Sequence, residues 1–152
     1  MEIRDACEED IESIAGIERE CFSMPWTPEQ LRSQLRPGHV FLAACEDGEV
    51  VGYAGLCYVL DEGYISNVAT APGYRRRGTA AALLLRLEER ARALGLAFLT
   101  LEVRESNLPA RALYAKLGYA AVGCRRNYYQ NPREDAILMT LELSENEGTK
   151  TS

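Results

Sequence analysis

The chain has 152 residues, 47% hydrophobic and 26% charged, the size and balance of one ordinary globular domain and not of a disordered chain. Lys and Arg number 17 against 23 Asp and Glu, and the resulting net charge of −6 argues against a nucleic-acid binder while suiting encounter with a basic protein or peptide. His39 is the single histidine, so a metal site of clustered histidines is excluded and no metal is expected.

In chain order, Met1-Glu2-Ile3-Arg4-Asp5 places acid where a signal peptide needs a basic start, and Glu2 to Ala6 reads as a first strand. Asp10 to Phe22 carries Ile11, Ile14, Ile17 and Cys21 at helical spacing. Thr27 and Gln30 form a capping-box pattern that opens a short helix from Pro28 to about Leu35. Val40 to Cys45 and Glu49 to Leu60 flank Asp47-Gly48, a hairpin signal, and Tyr64 to Ala69 continues the meander as an antiparallel section. The longest apolar run, Val50 to Leu60, is too short to span a bilayer, so a soluble cytoplasmic protein is expected. A helix follows from about Thr79 to Leu94, with Ala80, Leu84, Leu87, Ala91 and Leu94 on its stripe and Gly95 as its stop. Ala97 to Val103 is an apolar strand, and strand–helix–strand here implies a parallel pair. Ser106 or Asn107 caps a fourth helix that Gly118 ends, and Tyr119 to Cys124 and Ala136 to Leu143 are the last strands. The reading is a mixed α/β single domain over residues 1–143, with a polar, disordered tail at 144–152. Five cysteines without a C-x-x-C pair (Cys7, Cys21, Cys45, Cys57, Cys124) are expected as reduced, buried thiols.

The most informative segment is Arg75-Arg76-Arg77-Gly78-Thr79-Ala80, between a strand and a long helix. The first N–H groups of a helix lack internal partners, and its dipole places positive charge there, so three arginines beside it make an anion site, most simply for phosphate. Gly78 allows close backbone approach. Gly73 and Gly78 have the spacing of a nucleotide-binding P-loop, but Thr79 stands where that motif needs lysine, and the dinucleotide fingerprint is absent.

The pattern [Q/R]-x-x-G-x-[G/A] over Arg75 to Ala80, in this order of elements, resembles the acetyl-CoA loop of the GNAT superfamily of N-acetyltransferases. The resemblance covers nearly the whole chain. It implies a mostly antiparallel mixed sheet of about seven strands with four helices and a parallel, splayed pair at the acetyl-CoA site. It implies that backbone amides of Arg76, Arg77, Gly78, Thr79, Ala80 and Ala81 cradle the coenzyme pyrophosphate. It also implies that Val68, Ala69 and Thr70 line the path of the acetyl and pantetheine groups. Ala80 stands where glycine is common, and Thr70 where an apolar residue is more usual.

Further strings narrow the resemblance. Leu101-Glu102-Val103-Arg104-Glu105-Ser106-Asn107, Ala112-Leu113-Tyr114 with Gly118-Tyr119, Arg125-Arg126-Asn127-Tyr128-Tyr129 before Glu134-Asp135-Ala136, and Cys21-Phe22 with Pro25-Trp26 are similar to the RimI-type branch. Members of that branch acetylate the N-terminal alanine of a small-subunit ribosomal protein. By position, Glu102 matches the general base, Tyr114 the general acid and Asn107 a coenzyme contact. Taken alone, Glu102 could be a solvated strand end, Asn107 a helix cap and Tyr114 a packed helix tyrosine.

The chemistry suits those residue types. An α-amine has a reference pKa of about 7.7–8.0 against about 10.4 for lysine, so freeing the attacking amine at pH 7 costs roughly 1 kcal/mol in the first case and nearly 5 in the second. A carboxylate base is adequate for the former. A backbone N–H among Val68 to Thr70 is expected to meet the charge that develops on the acetyl oxygen. Trp26, Tyr128 and Tyr129 offer an aromatic acceptor rim, with Glu134 as the acid facing a positive amine; packing tyrosines and a solvated hairpin are the bland alternatives. Two other functions stay open: acetylation of small amines or lysine side chains, and a catalytically silent coenzyme A module.

Overall fold

The computed structural model describes residues 1–143; the tail expected at 144–152 lies outside them. Strand β1 (Glu2–Asp5) leads through a turn of 3-10 helix at Glu8–Asp10 into α1 (Ile11–Cys21), followed by α2 (Pro28–Arg32). Strands β2 (His39–Glu46), β3 (Glu49–Val59) and β4 (Glu62–Thr70) form the meander. Helix α3 (Thr79–Ala93), β5 (Phe98–Arg104), α4 (Leu108–Lys116), β6 (Ala120–Tyr129) and β7 (Glu134–Glu142) complete the described elements. The strands join in one sheet of order β1-β2-β3-β4-β5-β7-β6, antiparallel except for β4 with β5.

Local chemistry explains the boundaries. Thr27 and Gln30 form the reciprocal capping box at α2. Asp47 and Gly48 both take positive φ, 51° and 82°, as a two-residue turn matched to strand twist requires. The fourth helix starts where Asn107 Oδ1 accepts the Ala110 N–H at 3.2 Å.

Two apolar clusters sandwich the sheet. On one face, Leu83, Leu84, Leu87 and Ala91 of α3 pack on Leu99, Leu101 and Val103 of β5, with Leu113 and Tyr114 of α4 and Leu117 just beyond it at the margin. On the other, Ile11, Ile14, Ala15 and Ile17 of α1 pack on Leu31, Phe41, Tyr53 and Ala69. Leu83, not Leu94, completes the α3 stripe: Leu94 falls at the C-cap, beyond the sheet, and is 44% exposed. The thiols also differ from expectation. Cys45 is buried, Cys21 and Cys57 are half-buried, and Cys7 and Cys124 lie exposed on turn and edge-strand positions; all five are free.

The last hairpin is longer than its sequence pattern. β6 runs on through Arg125-Arg126-Asn127, residues that read as a loop because they break the apolar alternation. It is an edge strand, exposed along nearly all its length, and its register to β7 slips between Ala121 and Gly123 and again between Arg125 and Tyr129. Polar residues and bulges are how an exposed edge avoids pairing with other chains.

One irregularity places the site. Strands β4 and β5 pair only from Glu62 to Tyr64 and from Phe98 to Thr100; beyond these residues the ladder stops. In β4 the register to β3 also shifts, with Asn67 opposite Gly55 and Ile65 opposite Leu56, so Ser66 is an extra residue. The bulge and the broken ladder open a gap in the middle of the sheet.

Candidate active site

Past Tyr64, the β5-facing backbone groups of β4 have no strand partner, and Val68, Ala69 and Thr70 lie there. Ala69 and Thr70 are buried. A backbone N–H held in this way is a preorganised donor for a carbonyl oxygen placed in the gap.

The chain leaves β4 through Ala71 and a 3-10 turn at Pro72–Tyr74 and enters α3 at Gly78. Gly78 takes φ +81°, and a Cβ there would meet nothing within 4 Å, so the position faces open space. Arg76 is also left-handed, at φ +66°, and residues alternating between right- and left-handed conformations turn successive N–H groups toward one point. No side chain caps this helix and its first turn holds no acid. Its orphan N–H groups and dipole are therefore available to an anion, and the residues fit a pyrophosphate.

Two of the three arginines are already engaged. Arg75 reaches the Cys21 sulfur at 3.3 Å and the Thr70 carbonyl at 3.4 Å, which ties the end of α1 to the end of β4. Arg77 pairs with Glu46 at 3.3 Å and lies over the Tyr74 ring at 5.0 Å. Of the three, only the Arg76 side chain has no hydrogen bond or ion pair to the described residues. What the loop offers an anion is thus main-chain N–H groups first, with side-chain charge as a supplement.

Glu102 lies on the opposite face. Leu101 and Val103 enter the α3-side core, so alternation turns Glu102 toward the α1 side of the sheet. Its side chain is 6% exposed. The Tyr64 hydroxyl donates to Oε1, and Arg125 Nε donates to Oε2 at 2.9 Å. Burial, reinforced by the hydrogen bond to Glu102, pushes the Tyr64 phenol far up, so it stays protonated and serves as a donor. Sequence reasoning gave neither partner a role. Arg125 lay inside a quoted motif, and Tyr64 was one more aromatic in a strand; their meeting with Glu102 depends on strand order.

Tyr128 and Tyr129 pack edge to face at 5.0 Å, and Arg125 lies 6.0 Å from the Tyr128 ring. Burial, reinforced by the charges of Tyr128 and Glu102, pushes the Tyr129 phenol up to about 12. Tyr114 stands against the α3-side core beside Tyr119, ring centroids 5.8 Å apart. Burial alone raises its phenol to about 12. Asn107 is occupied as the α4 cap through Oδ1.

The remaining acceptor-side residues are placed differently. Both oxygens of Glu134 already accept from this chain, from the Ser106 N–H at 2.5 Å and from Arg104 at 3.2 Å. Arg104 itself lies over the Tyr129 ring at 4.4 Å and reaches the Gln130 and Pro132 carbonyls. Glu134 therefore ties the turn before α4 to the final hairpin. Trp26 packs against the α1-side cluster, and its main-chain N–H goes to Glu18. Glu18 was also missed, although a signal existed: it stands seven residues after Ile11, in the apolar stripe of α1.

A buried carboxylate thus lies on one face of the sheet and a phenol packs on the other, around a broken β4–β5 ladder that leads to a helix terminus able to hold an anion. The model of the acetyltransferase (GNAT) family matches residues 11–119. The [ribosomal protein bS18]-alanine N-acetyltransferase of Escherichia coli is 36% identical over 89% of this chain and 93% of its own length. Its counterpart in Haemophilus influenzae is 36% identical over 91% of this chain and 95% of its own. The crystal structure of the ribosomal-protein-S18-alanine N-acetyltransferase from Escherichia coli superposes with a TM-score of 0.87 at 35% identity, covering 93% of this chain and 92% of that one. The chain belongs to the acetyltransferase (GNAT) family.

Proposed function

We propose that the protein transfers the acetyl group of acetyl-CoA to the α-amine of an N-terminal alanine, on a small-subunit ribosomal protein of the bS18 kind, in the cytoplasm where such chains are made. The observation that carries this reading is the position of Glu102 and Tyr114 on opposite faces of a sheet whose β4–β5 ladder is broken. A thioester threaded through that gap presents its carbonyl to an amine on the Glu102 side and its sulfur to Tyr114 on the other.

Each residue then has a physical task. Backbone amides from Arg76 to Ala81 hold the pyrophosphate, with Asn107 at the margin of the coenzyme path. A main-chain N–H among Val68 to Thr70 meets the negative charge on the acetyl oxygen. Glu102 takes the proton from the amine, directly or through one water. Tyr64 and Arg125 hold its two oxygens in place, and the ammonium displaces the exposed Arg125 guanidinium as it enters. Tyr114 donates a hydrogen bond to the departing sulfur. Its phenol near 12 against a thiol near 8.5 makes complete proton transfer uphill by roughly 5 kcal/mol, so stabilisation of the thiolate, and not its protonation, is the task the site supports. Trp26, Tyr128 and Tyr129 form the acceptor rim; Glu134 acts by holding the hairpin that carries the two tyrosines.

Incubation with acetyl-CoA and a panel of alanine-starting basic peptides, free lysine and polyamines tests this. The expected result is a mass gain of one acetyl group confined to the peptide α-amine. Transfer to lysine or polyamines alone would favour a small-amine or side-chain enzyme, and no transfer to any acceptor would leave a coenzyme A module.

A further inference from the structure

The inward stripe of α1 is Ile11, Ile14, Ala15, Ile17 and Glu18, and Glu18 is 1% exposed. A carboxylate in such a place is costly unless it is paired. Among the described residues it makes no ion pair. Two neutral donors satisfy it instead: the Trp26 main-chain N–H reaches Oε1 at 2.8 Å, and Asn67 Nδ2 reaches Oε2 at 2.7 Å. Asn67 also approaches the Tyr53 hydroxyl at 3.5 Å. A leucine would pack with Ile14 and Ile17 without the desolvation cost, so stability alone does not account for an acid here.

The two donors come from different parts of the site. Trp26 belongs to the loop between α1 and α2, on the acceptor side. Asn67 follows the extra residue of the β4 bulge and directly precedes Val68. We propose that Glu18 is a positioning residue whose carboxylate clamps the acceptor loop to the β4 bulge, so that the Trp26 rim and the main-chain donors facing the thioester keep a fixed separation. A carboxylate suits this task because it offers one acceptor oxygen to each donor, whereas a glutamine can satisfy both only if the Asn67 amide rotates to present its oxygen. The inference rests on the acceptor-rim reading of Trp26 given above.

Trp26 is the single tryptophan of the chain, so its fluorescence reports the loop directly. With full-length Glu18→Leu and Glu18→Gln chains, steady-state kinetics on an alanine-starting peptide and Trp26 anisotropy are measured together. Glu18→Leu is expected to raise the peptide KM about tenfold, the worth of one charge-assisted hydrogen bond, with the acetyl-CoA KM unchanged and Trp26 anisotropy lowered. Glu18→Gln is expected to recover most of both. Glu18→Leu combined with Asn67→Ala is expected to do no more than Glu18→Leu alone. Trp26→Ala separates the two ideas: an unchanged peptide KM there overturns the rim reading. If Trp26→Ala raises that KM while both Glu18 variants leave KM and anisotropy at wild-type values, the clamp is overturned; equal rises in both KM values overturn it as well. Should Glu18→Leu fail to fold, Asn67→Ala decides through the same readouts: a raised peptide KM with lowered Trp26 anisotropy is expected, and wild-type values of both overturn the clamp.

Discussion

The loop that opens α3 and the carboxylate cluster on β5 meet at the same gap in the sheet but are made of different parts. The loop is contiguous and exposed, and what it offers a ligand is main-chain N–H groups set by Gly78 and by the helix that follows. The cluster is built of side chains around a buried Glu102, with Tyr64 and Arg125 reaching it across 38 and 23 residues of sequence. A site made of backbone tolerates most side-chain changes, provided φ is kept. A site made of converging side chains fails when any one is cut.

That contrast orders the expected effects of mutation. Glu102→Gln should lower the single-turnover rate by about 10²–10⁴-fold while acetyl-CoA still binds, since it removes the proton acceptor and keeps the shape; a near wild-type rate would remove Glu102 from the chemistry. Tyr114→Phe should cost on the order of tenfold to a hundredfold in kcat. Because burial holds Tyr114 near 12, the wild-type pH–rate profile should show no descending limb from this phenol below about pH 10. Such a limb, lost in Tyr114→Phe, would make Tyr114 a true proton donor.

On the loop, Gly78→Val forces a β-branched residue to φ +81° and should cost about 1–2 kcal/mol of stability. Its KM for acetyl-CoA should rise while that for peptide stays put; calorimetry and two-substrate kinetics check both. Arg77→Gln should change acetyl-CoA affinity far less, because that guanidinium is occupied by Glu46 and Tyr74. A larger loss than with Gly78→Val would show the loop to be a side-chain site after all.

The smallest expected effect lies away from both regions. Asp10 is held below the usual carboxylate range chiefly by its hydrogen bonds to Arg4, at 2.8 and 2.9 Å, against the opposing effect of burial. Its folded value lies below the unfolded value of about 3.9, so this stability is fully present above that pH and is lost as pH falls through the folded value. Arg4 is partly exposed, which keeps the contribution to on the order of 1 kcal/mol. Acid unfolding followed by circular dichroism should show Asp10→Asn losing less stability between pH 5 and pH 2 than wild type, by about that amount.

Much of this was legible in the chain. The Asp47-Gly48 turn, the capping box at Thr27 and Gln30, the stripe of α3 and its stop at Gly95 are each decided by neighbours within a few residues. The loop that opens α3, with a helix terminus able to hold an anion, belongs to the same class. What stayed hidden depended on long-range pairing. The extra length of β6 could not be read because its residues pair with β7 across bulges on an exposed edge. Arg75 and Arg77 read as free cations because Cys21 and Glu46, their partners, are distant in sequence. The engagement of Glu134 by Ser106 and Arg104 was hidden for the same reason, since both are distant in sequence.

Composition and local pattern thus determined the elements, their order and the helix terminus that can hold a phosphate, because turns, caps and periodicity act over the range of a few residues. Tertiary structure decided the rest. The order β5-β7-β6 brings Arg125 to Glu102, alternation along β5 and the packing of α4 set Glu102 and Tyr114 on opposite faces of the sheet, and the bulge at Ser66 delivers Asn67 to a buried glutamate. Those contacts depend on sheet register and on which face each side chain occupies, quantities that a single strand does not carry.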